Sequence, residues 1–383
     1  MGMTELLPGY ATAAATKKYS ETFGKACAPG HYSDFLNLHL QLSSIGIGTF
    51  PGAASDEVDA DYAAIIERAL VNGVNVIDTA AHYRYCRSPS AVGEGLRRAL
   101  AQGVTREQVY LISKGGFLGF RDGPPADFDN WFEREIVAKK LGSRADLSKA
   151  HLISPQHIQF QLEFSRHAIG VETLDAFLID QPEVHIPAIG KDQLNKKLEQ
   201  VFIVLEQAVK DGKLRAYGIS TFEGFRVETD HKLFQSITSM QGHAEKAARF
   251  VQQREDAKHH FKVIQLPFNQ VMLEGFTRFS HATGQGNIGS TIQAAFQLKV
   301  YVMASHTMLK GHLAKQSTDI VRQAMPHLEN DAQRALQFNR STPGLGTSLV
   351  GISTPQHLDD VLAVARIAPL EKAQYLKMFQ KAE

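Results

Sequence analysis

Apolar residues are distributed along this chain in short runs, and most stretches between them carry helical periodicity. Residues 45–49, 74–78, 109–114, 174–180, 215–220, 262–266, 300–305 and 348–352 are rich in Val, Ile, Leu and Tyr and are bounded by glycines or polar turns. Each reads as a buried strand. Residues 61–71, 91–100, 155–169, 193–210, 291–298, 332–340 and 355–366 read as helices, and a His- and Gln-rich helical segment runs to about 260. Ser88-Pro89 has the form of an N-cap followed by a first-turn proline, and Asp211-Gly212 that of a helix stop. A strand followed by a helix, eight times over, predicts an α/β fold of the (β/α)8 TIM-barrel type. The rival, a doubly wound open sheet, expects a GxGxxG turn after an early strand, and none is present.

Two segments lie outside this alternation. Residues 36–42 alternate strictly between leucine and polar side chains, so they predict a strand with one face buried. Together with the rest of residues 1–41 they read as an N-terminal extension whose hairpin closes the bottom of the barrel, residues 1–30 reading otherwise as a flexible arm. Residues 42–383 then form a single barrel domain. Within it, residues 117–152 are a long insertion after the third strand, carrying Phe117, Phe120, Phe128, Trp131 and Phe132 with a stiff corner at Gly123-Pro124-Pro125. It reads either as a mobile aromatic lid over a substrate pocket or as a packed surface subdomain.

In such a barrel the functional face is built by the loops that follow the strands. Asp78, Lys114, Asp180, Ser220, Ser305 and Gly351 fall at or near strand ends on that face, and Tyr83 stands in the loop after the second strand. Taken singly, each has an ordinary account as a helix cap, a solvated lysine or a packed ring. Together, Asp78, Lys114 and Tyr83 are a proton-donor design. The carboxylate holds the ammonium, and the ammonium favours the phenolate, lowering the Tyr83 pKa toward neutrality. Arg84, Tyr85, Cys86 and Arg87 follow at once, placing two cations where an anionic substrate could meet them. Cys86 reads as an inert thiol.

Composition narrows the classes. Of 383 residues, 43% are hydrophobic and 21% charged, as in an ordinary globule. With 41 Lys and Arg against 40 Asp and Glu there is no bulk field for nucleic acid or anionic lipid, so neither is expected as a partner. The two cysteines form neither a disulfide framework nor a zinc spacing. No apolar run has the length of a membrane span, and the first residues lack a signal-peptide core, so the expected location is cytoplasmic. A metal-dependent barrel lyase lacks a convergent cluster of acids and histidines.

From about Leu42 to Leu362 the chain resembles the aldo-keto reductases. Gly48-Thr49, Asn75 to Thr79 with Tyr83, and Ser113-Lys114-Gly115-Gly116 carry the resemblance, with Thr173 to Asp175, Tyr217 to Ser220 and Val350 to Pro355. The resemblance implies the (β/α)8 barrel and nicotinamide-dependent reduction of a small-molecule carbonyl. By it Tyr83 is the general acid, Lys114 its tuning neighbour and Asp78 the partner of Lys114. The cofactor, NADPH (NADP+ when oxidised), would meet Gly48, Thr49, Asp78, Ser220, Gln265, Ser305, Gly351, Ser353, Gln356 and His357, with Lys310 and Lys315 as cations for its adenosine phosphate. The chain also departs from the family. Asp180 takes the place of a histidine, where some relatives that reduce carbon–carbon double bonds carry Glu and the potassium-channel β-subunits carry Asn. Pro89 replaces a common Glu, and Val361 an Asn that supports the adenine. Asp180 therefore joins the expected catalytic set, and His185 reads as a surface-loop residue. Two functions follow: hydride transfer from NADPH to a carbonyl or activated alkene, or a nucleotide-binding barrel with little turnover that serves as a redox sensor or regulatory subunit.

Overall fold

The computed structural model describes residues 5–35, 39–121, 123–284, 286–352 and 354–380. Eight parallel strands close into a barrel in chain order: β1 (Ile45–Gly48), β2 (Val76–Asp78), β3 (Tyr110–Gly115), β4 (Leu174–Asp180), β5 (Leu214–Ser220), β6 (Phe261–Pro267), β7 (Tyr301–Ser305) and β8 (Thr347–Gly351). The ring closes where β8 pairs with β1, Gly351 opposite Gly48. The helices that follow the strands are α1 (Asp56–Leu70), α2 (Ser88–Ala101), α3 (Pro155–Ile169), α4 (Ile186–Lys210), α5 (Ile237–Gln252), α6 (Thr291–Gln297), α7 (Asp331–Arg340) and α8 (His357–Ala365). The strands thus fall where the apolar runs predict them, each followed by one of these helices.

Strand periodicity positions the site. Val76, Ile112, Leu178, Val263, Met303 and Leu349 form part of one buried cluster inside the barrel, while neighbours such as Ile77, Phe177 and Ile264 belong to the outer core with the helices. Since side chains alternate along a strand, the next inward positions are Asp78, Lys114, Asp180, Gln265, Ser305 and Gly351. The polar residues are therefore one layer above an apolar plug. Gly218, in β5, lets the sheet close: a Cβ there would stand 1.6 Å from the carbonyl oxygen of Val263.

The extension packs against the barrel. Tyr32–Phe35 pairs antiparallel with Leu40–Ser43, and Leu40 and Leu42 enter the inner cluster. Residues 36–38 of the predicted strand lie outside the described residues. Instead of a loose arm, Ala13–Thr22 is a helix capped by Thr12, and the Tyr19 hydroxyl donates to the Leu70 carbonyl at 2.6 Å. Buried Asp175 ties the extension to the barrel. It accepts from Ala11 N at 2.7 Å, Leu111 N at 2.8 Å and the buried Arg106 guanidinium at 2.7 Å. Asp175→Ala would strand a buried cation, so it should lower unfolding free energy by roughly 3–5 kcal/mol in a denaturant titration. A loss below about 1 kcal/mol would show that water or another group replaces the carboxylate.

Two expected helix starts need correction. Ser88 is not the N-cap of α2: the cap position is Arg87, without a side-chain cap bond, because the Ser88 hydroxyl donates to the Thr49 carbonyl at 2.8 Å. α4 begins at Ile186 and contains a break at Gly190, φ 76°. The insertion packs about its own apolar cluster of Leu118, Phe132, Ile136 and Leu152, with Phe120, Phe128 and Trp131 around it. Its base is stapled by Leu118 N to Ala150 O and Leu152 N to Gly116 O, both 2.8 Å.

Candidate active site

At the top of the barrel, Lys114 Nζ donates to Asp78 Oδ2 at 2.5 Å, to the Thr79 carbonyl at 3.1 Å and to the Tyr83 hydroxyl at 3.2 Å. The lysine is fully buried, so its charge is tolerated only through these partners. The other oxygen of Asp78 accepts from Gln265 Nε2 at 3.2 Å, and Gln265 Oε1 accepts from Ser220 Oγ at 3.0 Å. Four strands thus fix one carboxylate.

The loop that delivers Tyr83 is held by an unusual backbone. Arg84, Tyr85 and Cys86 have φ of 49°, 55° and 70°, three successive left-handed residues without glycine. The Arg84 guanidinium anchors them, donating to the Ala53 carbonyl at 2.8 Å and to Asp59 Oδ1 at 2.6 Å. Arg87 likewise pairs with Asp56 and Asp59. The expectation that these arginines face an anionic substrate is therefore corrected: the acidic first turn of α1 takes both charges.

The electrostatics also differ from the sequence argument. The Tyr83 phenol is held well above its ordinary pKa, first by burial and then by the Asp180 and Asp78 carboxylates, rather than lowered by Lys114. Asp78 is raised by burial, against the pull of Lys114 and Gln265. Asp180 is pushed up to about 6 by burial, with Lys114 opposing and Asp78 adding. The acid at position 180 thus adds to burial in holding the Tyr83 proton.

These groups sit in a cavity of about 1070 Å³. Gly48, Asp78, Tyr83, Asp180, Ser220, Gln265, Ser305, Lys310, Gly351 and His357 all line it. Three proposed cofactor contacts do not. Thr49 is buried and bonds to Thr79 Oγ1 and the Asp78 carbonyl at 2.8 and 3.2 Å, whereas Gln356 and Lys315 are exposed away from the lining. Ser353 lies outside the described residues. Lys114 is buried beneath the floor, behind Tyr83 and Asp78.

Sequence reasoning missed several neighbours. Phe50 and Phe222 join Phe117 and Phe120, which the sequence already placed in an aromatic insertion over the pocket, in an aromatic collar, and His82 forms part of the wall. His185 is buried rather than on a surface loop: its Nε2 bonds His151 Nδ1 at 2.9 Å, and His151 Nε2 donates to the Asp180 carbonyl at 2.7 Å. Gly116 makes room for that ring, since a Cβ would lie 2.2 Å from His151 Nε2. Glu183 is buried too, accepts from Phe222 N at 2.6 Å, and is raised to about 7 by burial. Phe50 and His82 were findable as neighbours of a strand end and of Tyr83. The histidine pair was not, because it joins residues 34 apart through the insertion.

Comparison with known proteins points the same way. A Schizosaccharomyces pombe protein with the provisional name voltage-gated potassium channel subunit beta is 23% identical over 342 residues, covering 86% of this chain and 87% of that one. The NADH-specific methylglyoxal reductase of Escherichia coli is 25% identical over 50% of this chain, and the glyoxal reductase of Bacillus subtilis 26% over 52%. The matched stretches span about half of those two reductases, 51% and 54%. Among solved structures, an aldo/keto reductase from Klebsiella pneumoniae in complex with NADP and acetate superposes with a TM-score of 0.57 at 16% identity, covering 91% of this chain and 94% of that one. An aldo-keto reductase from Bacillus halodurans in holo form gives 0.59 at 16%, covering 92% and 97%. Those two likenesses concern the fold. Residues 44–383, nearly the whole barrel and its C-terminal helices, match the aldo/keto reductase family, and the chain belongs to that family.

Proposed function

We propose that the protein is a nicotinamide-dependent oxidoreductase that reduces the carbonyl group of a small molecule, or an alkene conjugated to one, with Tyr83 as proton donor. One observation carries this reading: Lys114 Nζ bridges Asp78 and the Tyr83 hydroxyl at the floor of a large cavity. When bound, the cofactor supplies the hydride. The chain supplies the rest. Tyr83 offers its O–H to the oxygen that gains electrons, and Lys114 stabilises the phenolate left behind. Asp78, fixed by Gln265, pairs with Lys114 and holds it in place. The aromatic collar of Phe50, Phe117, Phe120 and Phe222 excludes water and grips an apolar substrate body.

The residues present fit a dinucleotide. The cavity runs from Tyr83 past Ser305 to Lys310 and to His357 and Val361 on α8, and its volume is ample for an extended cofactor. Lys310, exposed at the rim, is a cation available to a phosphate there. Asp360 shares that end, but its Oδ1 is occupied by Asn330 Nδ2 and Gln333 Nε2 at 2.7 and 3.0 Å. NADPH is accordingly the proposed cofactor. Fluorescence titration should show tighter binding of NADPH than NADH, weakening with added salt, and Lys310→Ala should cost NADPH roughly tenfold while sparing NADH. Equal affinity of the wild type for both cofactors would remove the phosphate-recognition claim.

The Schizosaccharomyces pombe relative favours one alternative, a nucleotide-binding barrel that turns over slowly and regulates a partner. In that case cofactor binds but no aldehyde or enone is consumed above the rate of a Tyr83→Phe variant. We also propose that residues 1–41 serve as the floor of the barrel. The insertion at 117–152 serves as the outer wall of the substrate pocket, its inner edge being the part that closes on ligands.

A further inference from the structure

Beside Tyr83 stands an imidazole to which the reading above gives no task. His82 precedes Tyr83, its ring edge-on to the phenol ring with centroids 4.9 Å apart and 5.3 Å from the ring of Phe117. Its Nε2 faces Asp180 Oδ2 at 3.8 Å. That separation is too long for a hydrogen bond between them. It does suit a third oxygen placed between the two, within ordinary hydrogen-bond reach of each. Nδ1 is buried and has no hydrogen-bond partner among the described residues, so Nε2 is the edge of the ring turned to polar company. The carboxylate opposite draws the imidazole proton to that nitrogen. His82, Asp180 and Tyr83 all line the same cavity.

We propose that His82 Nε2–H and the protonated Asp180 carboxyl form a two-point clamp on the reacting carbonyl oxygen, His82 alone donating once Asp180 is ionised. The inference rests on the proposed carbonyl reduction with Tyr83 as acid. No bond is made or broken at His82; it donates a hydrogen bond, and the proton that ends on the product oxygen comes from Tyr83. The groups around the clamp set its pH response. Asp180 is faced by Lys114 on β3, by Asp78 on β2, by His82 and Tyr83 in the following loop, by Ser220 on β5 and by Glu183 beyond β4. His82 is faced by Asp180, Lys114, His157 on α3 and His151 in the insertion. Burial and then Lys114 hold His82 down to about 3, so the ring is neutral through the working range and its donor persists while Asp180 ionises near 6.

The test is a set of pH–rate profiles on one aldehyde for wild type, His82→Phe, His82→Gln, Asp180→Asn and the double variant His82→Phe with Asp180→Asn. NADPH affinity and melting temperature are measured alongside as folding controls, with Tyr83→Phe as the reference for lost chemistry. His82→Phe should lower kcat by about tenfold in acid, then fall by about a further tenfold per pH unit above 6, since only protonated Asp180 still donates. His82→Gln, which keeps an N–H near the Nε2 position, should recover much of the loss. Adding Asp180→Asn to His82→Phe should remove the steep limb, because the amide donates at every pH. Wild-type kcat and profile in His82→Phe, with Tyr83→Phe inactive, overturn the clamp but leave the proposed function standing. A folded His82→Gln as impaired as His82→Phe overturns the donor role as well. A fully active Tyr83→Phe removes the proton-donor reading itself, and the clamp with it.

Discussion

Tyr83→Phe is expected to lower turnover with an aldehyde by about two to four orders of magnitude while leaving NADPH affinity within about twofold. The hydroxyl is the only part of the side chain lost, and the ring keeps its contacts with Phe50 and His82. Binding therefore survives and proton delivery does not. The raised phenol adds a directional consequence. Burial and two nearby carboxylates keep Tyr83 protonated at neutral pH, which suits a proton donor for reduction. The reverse reaction needs the phenolate, so alcohol oxidation should climb as pH rises well into the alkaline range. Steady-state rates in both directions across pH check this, and an oxidation rate already flat at neutral pH would mean that Lys114 outweighs burial and the carboxylates.

Lys114→Met should have two large effects, separable by a second substitution. The variant loses the charge that stabilises the Tyr83 phenolate, so turnover should fall about as far as in Tyr83→Phe. It also leaves the buried Asp78 carboxylate without its cation, which costs roughly 3–5 kcal/mol of stability. Adding Asp78→Asn neutralises the stranded acid and should return most of the stability without returning turnover. Denaturant midpoints and kcat for wild type, the single variant and the pair decide the matter. Recovery of activity in the pair would show that Lys114 serves the fold alone.

The barrel was legible because parallel strands covered on both faces must be short apolar runs, and eight such runs alternate with helical periods. The candidate site was legible for a related reason. Period-two alternation puts whatever follows the last inward apolar residue at the mouth, and Asp78, Lys114 and Asp180 stand at those places. What could not be read depends on contacts far apart in sequence. Ala11 meets Asp175 across 164 positions, so the N-terminal arm gave no local sign that it was docked. Arg84 and Arg87 looked free until the fold brought the first turn of α1 beneath them. The net shift of Tyr83 runs opposite to the expectation because sequence adjacency shows which charges are present, while burial and the nearness of Asp180 and Asp78 set their weight. Asn75, a residue of the family resemblance, turns out to be structural. Its side chain ties Gln41, Ser43 and Gln108 together at the barrel bottom.

Label transfer tests the central claim most directly. The protein is incubated with NADPH deuterated on the nicotinamide ring and a panel of aldehydes and enones, and the products are read by mass spectrometry. The account predicts one deuterium on the former carbonyl carbon, or on the far carbon of an enone, at a rate that collapses in Tyr83→Phe. Saturating cofactor binding with no deuterium in any product would contradict it.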